Sequence, residues 1–347
     1  MQIFERNNGG DFERLIFVQD RSCGLQAIVA LHHLRRGPAF GGVRRASYPD
    51  QNAALDDVIA LAAAMSRKLA LANMPAGGGK TVILQRPDTD LERAYMALGA
   101  AIEGMNGDYF CGPDIGTGER ELDWLRRTCS RVNPRGNDAG RSTALGVLAG
   151  LRGLLRVLQG SPNFAGLRVG IEGLGQVGSW LGKRLVEAGA EVWAHDIDPQ
   201  ARERGLNLGL KVVSQVDELL RAELDVLMPC AVGGTVNESI AESLAVRAIC
   251  GCANNPLTSP RVAQILHRRN IVMVPDFVVN AGAVIEGVIT QGLFAADSSS
   301  DAARVVDCEI AAIEDRCFDL LERAKNQGAD PLALALSRAD QILGRSP

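Results

Sequence analysis

Two lysines and a glycine-rich stretch are the first residues whose types and spacing could do chemistry. Lys80 closes Ala76-Gly77-Gly78-Gly79-Lys80, and Lys68 closes Met65-Ser66-Arg67-Lys68. Glycines 77 to 79 have no Cβ, so a ligand or a second backbone can come close to Lys80. Lys68 stands three residues after Met65 and seven after Leu61, which puts its stem on an apolar side of a helix. Asp57 occupies nearly the same angular position, so the stripe is imperfect. Either lysine alone reads as a solvated surface charge. Gly79-Lys80-Thr81 ends like a phosphate-binding P-loop, but that motif needs a glycine five positions before Gly79, where Met74 stands.

The second signal is stronger. The strand expected over 167–172 leads into Gly173-Leu174-Gly175-Gln176-Val177-Gly178 and then a helix over 179–188. This is G-x-G-x-x-G after a strand and before a helix. Gly173 allows the tight turn, Gly175 lets the backbone approach a pyrophosphate, and Gly178 allows close packing of helix on sheet. The phosphate would meet free N–H groups at the positive end of the helix dipole. Gly173, Gly175, Gln176, Val177 and Gly178 are therefore candidate cofactor contacts. The next strand, 191–196, ends in Asp196, where a carboxylate accepts from the ribose hydroxyls and repels a 2′-phosphate, favouring NAD over NADP. Without a ligand the same residues make only a glycine-rich turn.

The elements that would hold these residues follow from periodicity. Segments 15–19 and 25–32 read as a β-hairpin around Asp20-Arg21-Ser22-Cys23-Gly24. The glycine-rich Gly37-Pro38-Ala39-Phe40-Gly41-Gly42 follows, then a helix over 52–68 with Leu55, Val58, Ile59, Ala62 and Met65 at helical spacing. A strand is expected over 81–84 and a helix over 91–104. The polar segment 133–140 reads as a hinge. Beyond it strands alternate with helices, the mark of a parallel sheet covered on both faces. Short apolar runs end near Cys230, Cys252 and Pro275. One long helix is expected over 302–327, and a last helix over 332–343.

Composition narrows the classes. The 347 residues carry a net charge of -4 with 46% hydrophobic and 4% aromatic residues, which gives no general pull toward nucleic acid or acidic membranes. No uncharged apolar run reaches the roughly 18 residues of a membrane span. The start, Met1-Gln2-Ile3-Phe4-Glu5-Arg6-Asn7-Asn8, lacks the basic and apolar regions of a secretion signal. A cytoplasmic protein is expected. The eight cysteines have no metal-ligand spacing, so no metal is expected and the thiols read as small, buried and reduced.

Eight motifs together resemble one family. Gly37-Pro38-Ala39-Phe40-Gly41-Gly42, Met65-Ser66-Arg67-Lys68, Ala76-Gly77-Gly78-Gly79-Lys80 and Pro113-Asp114-Ile115-Gly116-Thr117 are similar to the leucine, valine, phenylalanine and glutamate dehydrogenases. Thr143-Ala144-Leu145-Gly146-Val147, Pro229-Cys230-Ala231, Ala253-Asn254-Asn255 and Pro275-Asp276-Phe277-Val278-Val279-Asn280-Ala281-Gly282 continue the likeness in order, closest to the leucine/phenylalanine branch. The resemblance implies an α/β fold: an N-terminal mixed α/β catalytic and dimerisation domain over 1–138, a Rossmann (doubly wound) NAD-binding domain over 139–327, and a C-terminal helix over 328–347 returning to the first domain.

It also implies reversible, NAD-dependent oxidative deamination of an L-amino acid to its 2-oxo acid and ammonia. By that likeness Lys68 fixes the substrate carboxylate, Lys80 activates water, and Asp114 exchanges a proton with the amine. A lysine becomes a base near neutral pH only where desolvation and a second cation favour its neutral form, so two lysines in one pocket suit the task. Thr143 would meet the nicotinamide end, starting the helix that enters the second domain, with Cys230, Ala231 and Ala253 also lining the cofactor. Asn255 and Asn280 would touch substrate or the nicotinamide ribose.

Some features depart from the family pattern. Phe40 stands where relatives often have leucine, and Gly112 removes bulk as in aromatic-preferring members; with Gly41 they would line the substrate, a nonpolar or aromatic amino acid of the Leu, Val, Phe or Trp class. If Asp307 or Glu309 faced the pocket, a polar or basic substrate would follow instead. The segment before Thr143 lacks the proline of relatives. Longer relatives have a basic tail, so a homodimer is expected. A catalytically silent Rossmann regulatory protein is the competing reading, since a fold does not fix a function.

Overall fold

The computed structural model describes residues 12–294 and 302–344; the Met1 to Asn8 stretch discussed above lies outside them. The chain divides into two units, one formed by Met1–Asn137, Val284–Val305 and Ala339–Pro347, the other by Asp138–Ala283 and Val306–Arg338.

In the first unit β1 (Arg14–Asp20) and β2 (Leu25–Leu31) form the expected antiparallel hairpin, in register from Asp20 against Leu25. Next come β3 (Ala39–Ala46), α1 (Gln51–Leu71), β4 (Gly77–Leu84), α2 (Leu91–Glu103), β5 (Tyr109–Gly112) and α3 (Glu119–Arg126). The sheet runs β1-β2-β4-β3-β5, with β3 parallel to both β4 and β5. Alternation along the strands separates two cores. Ile28, Ala30 and Val82 face Ala54, Leu55, Val58, Ile59 and Ala62 of α1. Val29, Leu31, Val43, Ile83 and Tyr109 pack with Tyr95, Leu98 and Ile102 of α2 on the other side. The Asp50 carboxylate caps α1, accepting from the N–H groups of Asn52 and Ala53 at 2.8 and 2.9 Å.

Here the structure corrects two readings. β4 begins at Gly77 rather than Thr81, and the glycine-rich segment around Gly41 is a central strand. Glycine disfavours strands in isolation, which hid both. Its purpose is proximity: a Cβ on Gly41 would lie 1.7 Å from the Gly79 carbonyl, and one on Gly78 would lie 2.2 Å from the Ser66 nitrogen of α1.

The second unit opens on α4 (Ala139–Gln159), capped by Asp138, which accepts from the Arg141 N–H at 2.9 Å. Then follow β6 (Arg168–Glu172), α5 (Gln176–Glu187), β7 (Glu191–His195), α6 (Pro199–Asn207), β8 (Lys211–Val212) and α7 (Val216–Arg221). The second half has β9 (Val226–Pro229), α8 (Glu238–Ser243), β10 (Ala248–Ile249), α9 (Pro260–Arg268), β11 (Val272–Met273) and α10 (Asp276–Val279). The chain ends through α11 (Gly282–Thr290), α12 (Ala302–Ala311), α13 (Ile313–Gln327) and α14 (Pro331–Ile342). Six parallel strands in the order β11-β10-β9-β6-β7-β8 make the expected doubly wound sheet.

Three boundaries differ from expectation. α5 starts at Gln176, directly on the glycine turn. Ala139 and Gly140, read as hinge, already belong to α4, so Thr143 lies in its second turn rather than at its start. The single helix expected over 302–327 is two, separated at Ala312, and Arg316 Nη1 donates to the Glu309 carbonyl across the break at 3.2 Å. Among the described residues no helix is long and apolar enough to cross a membrane.

Gly78→Ala tests the tight seat of α1 on β4. The added methyl meets helix backbone that cannot rotate away, so unfolding stability should drop by about 1–3 kcal/mol. A urea midpoint equal to that of wild type would show that α1 does not sit there.

Candidate active site

The face of the sheet beneath α1 carries Gly78, Lys80 and Val82 from β4 and, by register, Phe40, Gly42 and Arg44 from β3. Lys80 is 6% exposed, so it is no solvated surface charge. Its Nζ lies 2.7 Å from Oδ2 of Asp114, just beyond β5. Two glycine contacts allow this. A Cβ on Gly42 would stand 2.5 Å from the Pro113 carbonyl and 2.9 Å from the Asp114 Cβ, so the Pro113 backbone and the Asp114 side chain rest directly against β3. Oδ1 of Asp114 accepts from the Ile115 N–H at 2.8 Å.

A third member was not visible in the sequence. Arg44 Nε donates to the same Oδ2 of Asp114 at 3.2 Å, while its Nη1 reaches Asp57 Oδ2 on α1 at 3.2 Å. The Tyr48 hydroxyl also donates to Asp57, at 2.6 Å. Burial by itself would push the Asp114 carboxyl up, but Lys80 and then Arg44 outweigh it and hold it below the usual carboxylate range. Asp57, the flaw in the helical stripe, is thereby explained.

Lys68 is half-buried near the end of α1, two residues past Ser66, whose Oγ accepts from the Gly78 N–H at 2.9 Å. Phe40 is buried, and Gly287 exists opposite it because a Cβ there would lie 2.4 Å from the Phe40 Cζ. A Cβ on Gly112 would meet the Asn133 side chain at 3.2 Å, and Gln291 Nε2 donates to Asn133 Oδ1 at 2.6 Å. Asn133 and Gln291 were not anticipated, because they converge only through the fold.

In the second unit the expected cofactor residues gather between the ends of β6 and β9, where the strand order reverses. Gly173 has φ 99°, and a Cβ on it would lie 2.7 Å from the Ala231 nitrogen. A Cβ on Gly178 would lie 1.9 Å from the Gly173 carbonyl and 3.4 Å from the Cys230 Cβ. A Cβ on Gly175 would meet nothing within 4 Å. That opening, at the first turn of α5, is where the residues present fit a pyrophosphate. Gln176 and Val177 begin the helix, and a cavity of about 470 Å³ beside them is lined by Leu174, Gly175, Gln176, Ser179, Arg204, Asn207 and Leu208. Asp196 Oδ2 accepts from the Leu174 N–H at 2.6 Å, fixing the carboxylate beside the glycine turn. The buried Ala253 donates its N–H to the Pro229 carbonyl at 2.9 Å, beside Cys230.

Comparison with known proteins decides the family. Residues 13–131 match the family described as Glu/Leu/Phe/Val dehydrogenase, dimerisation domain, and residues 201–336 match Glutamate/Leucine/Phenylalanine/Valine dehydrogenase. The chain is 34% identical to a valine dehydrogenase of Streptomyces virginiae over 98% of its own length and 95% of the relative's. The chain belongs to the Glu/Leu/Phe/Val dehydrogenase family. A leucine dehydrogenase of Bacillus cereus is 36% identical over 82% of this chain and 80% of that one. The crystal structure of L-tryptophan dehydrogenase from Nostoc punctiforme superposes with a TM-score of 0.83 at 29% identity, covering 96% of both chains.

The remaining family positions divide. Asn280 is buried and its Nδ2 donates to the Cys252 carbonyl at 3.1 Å and to Asn254 Oδ1 at 3.0 Å, while its Oδ1 meets no partner among the described residues. Asn255 is exposed with φ 49°, and its N–H donates to Asp276 Oδ2 at 3.1 Å, a turn residue in form. Thr143 is half-buried, on the part of α4 that packs against Gly282. Asp307 is exposed and lies 3.9 Å from Arg141, and Glu309 is ion-paired with Arg316, so each acid already has its cation. Five cysteines are buried, but Cys308 is exposed, contrary to the uniform burial expected.

Glu172, the last residue of β6, faces His195 across the register, and burial pushes its carboxyl up against the opposing effect of the Thr235 hydroxyl. A raised folded value means the protonated form fits better, so ionisation costs stability as pH rises through it. Glu172→Gln should therefore raise the melting temperature more at pH 8 than at pH 4.5. Equal shifts at both pH values in thermal scans would refute that assignment.

Proposed function

We propose that the protein oxidatively deaminates a nonpolar or aromatic L-amino acid to its 2-oxo acid and ammonia, reversibly, with NAD rather than NADP. The observation that carries this reading is the contact of the buried Lys80 with Asp114 under α1. Similarity to enzymes named for valine, leucine and tryptophan supports the substrate class. The dimerisation domain supports a homodimer, and a cytoplasmic enzyme is consistent with the substrate.

Each group has a task. Lys68 supplies a cation for the substrate carboxylate. Asp114, kept ionised, accepts the proton that the ammonium group must lose before its lone pair can expel hydride from Cα. Bound NAD supplies the hydride acceptor. Lys80, once its own ammonium proton has passed to solvent, takes a proton from water as the oxygen attacks the iminium carbon. Asp114 then returns its proton to the nitrogen, and the hydroxyl proton of the adduct leaves with ammonia as the C–N bond breaks, giving the 2-oxo acid and ammonium. Phe40, Gly41 and Gly112 shape the space for the side chain, and Asn255 and Asn280 orient substrate or the nicotinamide ribose. Thr143, Cys230, Ala231 and Ala253 border the nicotinamide, and Gly173, Gly175, Gln176, Val177 and Gly178 hold the pyrophosphate. Asp196 selects NAD by accepting from the adenosine ribose.

Absorbance of NADH, followed while each proteinogenic L-amino acid is offered with NAD at alkaline pH, should rise with Leu, Val, Phe or Trp. No rise with any amino acid, with NAD binding intact, would leave a silent scaffold. Lys80→Ala should lower kcat by roughly 10²- to 10⁴-fold, the usual worth of a general acid or base; full activity would remove Lys80 from the reaction. Asp196→Ala should weaken NAD and improve NADP, and a wild-type preference for NADP would contradict the role given to Asp196.

A further inference from the structure

The charges around Asp114 point to a residue that the motif positions do not include. Oδ2 of Asp114 receives two cationic donors, Lys80 Nζ at 2.7 Å and Arg44 Nε at 3.2 Å. Arg44 uses a different nitrogen, Nη1, for Asp57 Oδ2 at 3.2 Å. A guanidinium can do this because its donors are spaced in one rigid plane; a lysine ammonium is a single point and cannot span both carboxylates.

We propose that Arg44 is the positioning residue of this site: it fixes the Asp114 carboxylate independently of Lys80, and Asp57 with Tyr48 fixes Arg44. The inference rests on the deamination reading above. Its logic lies in what Lys80 must do. Lys80 has to leave its contact with Asp114 to act on water, and a carboxylate held by Lys80 alone would then be free to turn. With Arg44 on Oδ2 and the Ile115 N–H on Oδ1, Asp114 keeps its orientation while Lys80 moves. The local charges close, with Lys80 and Arg44 balanced by Asp114 and Asp57, so no bare ion is left under α1.

The groups around Asp114 come from every neighbouring element. β4 gives Lys80 and β3 gives Arg44, with Tyr48 beyond it. α1 gives Asp57, with Lys68 further along the same helix, and β5 carries the buried Tyr109 phenol, which senses the Asp114 charge. Of these, the nearest cations are Lys80 and Arg44, and both favour the ionised Asp114. Loss of Arg44 must therefore raise the Asp114 value. Activity that needs ionised Asp114 disappears as pH falls through that value, so the acid limb of the pH profile must move to higher pH.

The test compares Arg44→Met, Arg44→Lys and the charge-balanced pair Arg44→Met with Asp57→Asn, which leaves no unpaired acid and so guards against simple misfolding. In both Met variants kcat should fall about 100-fold from misplacement, and the acid limb of kcat/KM should move up by about one to three pH units, the usual effect of a neighbouring arginine on a carboxyl. Arg44→Lys should restore the limb more than kcat, because it returns the charge but not the fork. Wild-type kcat and an unmoved limb in the folded double variant would overturn the proposal. Carbon-13 NMR titration of labelled Asp114 separates this claim from the deamination reading. If wild type turns over no amino acid, an upward midpoint in Arg44→Met still supports the hold of Arg44 on Asp114, and an unchanged midpoint overturns it.

Discussion

A buried lysine and a half-buried carboxylate at 2.7 Å set the terms for the first unit. Removing two charges from water costs several kcal/mol per ion even after relaxation, and close contact alone seldom recovers it. This protein meets the cost with geometry and neutrality. Gly42 lets the segment of Asp114 rest on β3, and Gly41 and Gly78 let β3, β4 and α1 close around it at separations no side chain would permit. Arg44 and Asp57 then complete a charge-balanced row with Tyr48 at its end. The glycines are therefore part of the electrostatics: bulk at any of these seams would part the charges or open them to solvent.

The second unit solves a different problem with the same residue type. A pyrophosphate needs unpaired N–H groups and room, both of which the turn from β6 to α5 provides, with open space beside Gly175 and a close backbone contact at Gly178. The all-parallel sheet supplies the place, because its order reverses between β6 and β9. Asp196 is held by the Leu174 N–H, so in the proposed function the acid assigned to the ribose is fixed by the loop assigned to the phosphate. On that reading, recognition of both ends of an adenosine diphosphate would depend on one short stretch of chain.

Much of this was legible in the sequence, and the failures have physical causes. The hairpin, the stripe of α1 and the strand-turn-helix at Gly173 follow from local periodicity, which is why their positions agree within a few residues. β3 and the start of β4 were missed because glycine carries no strand signal; there it is chosen for proximity to a neighbouring element. Lys80 and Asp114 could be named from motifs, but nothing along the chain brings Arg44 to Asp114 or Gln291 to Asn133. Those meetings are made by parallel pairing of β3 and by residues separated by 158 positions.

Asp57 shows how a discord in sequence can be the more informative observation. An acid on the apolar side of α1 weakens the helical pattern, and a stronger stripe would put an aliphatic residue there. That residue would pack, but it would leave Arg44 with a single carboxylate and let the guanidinium turn with Asp114 instead of holding it. α1 accepts a less regular face so that its backbone can be seated by Gly78 while its side chain anchors the cation of β3. Local patterns describe what an element needs in order to form; breaks in them mark what the element has to do.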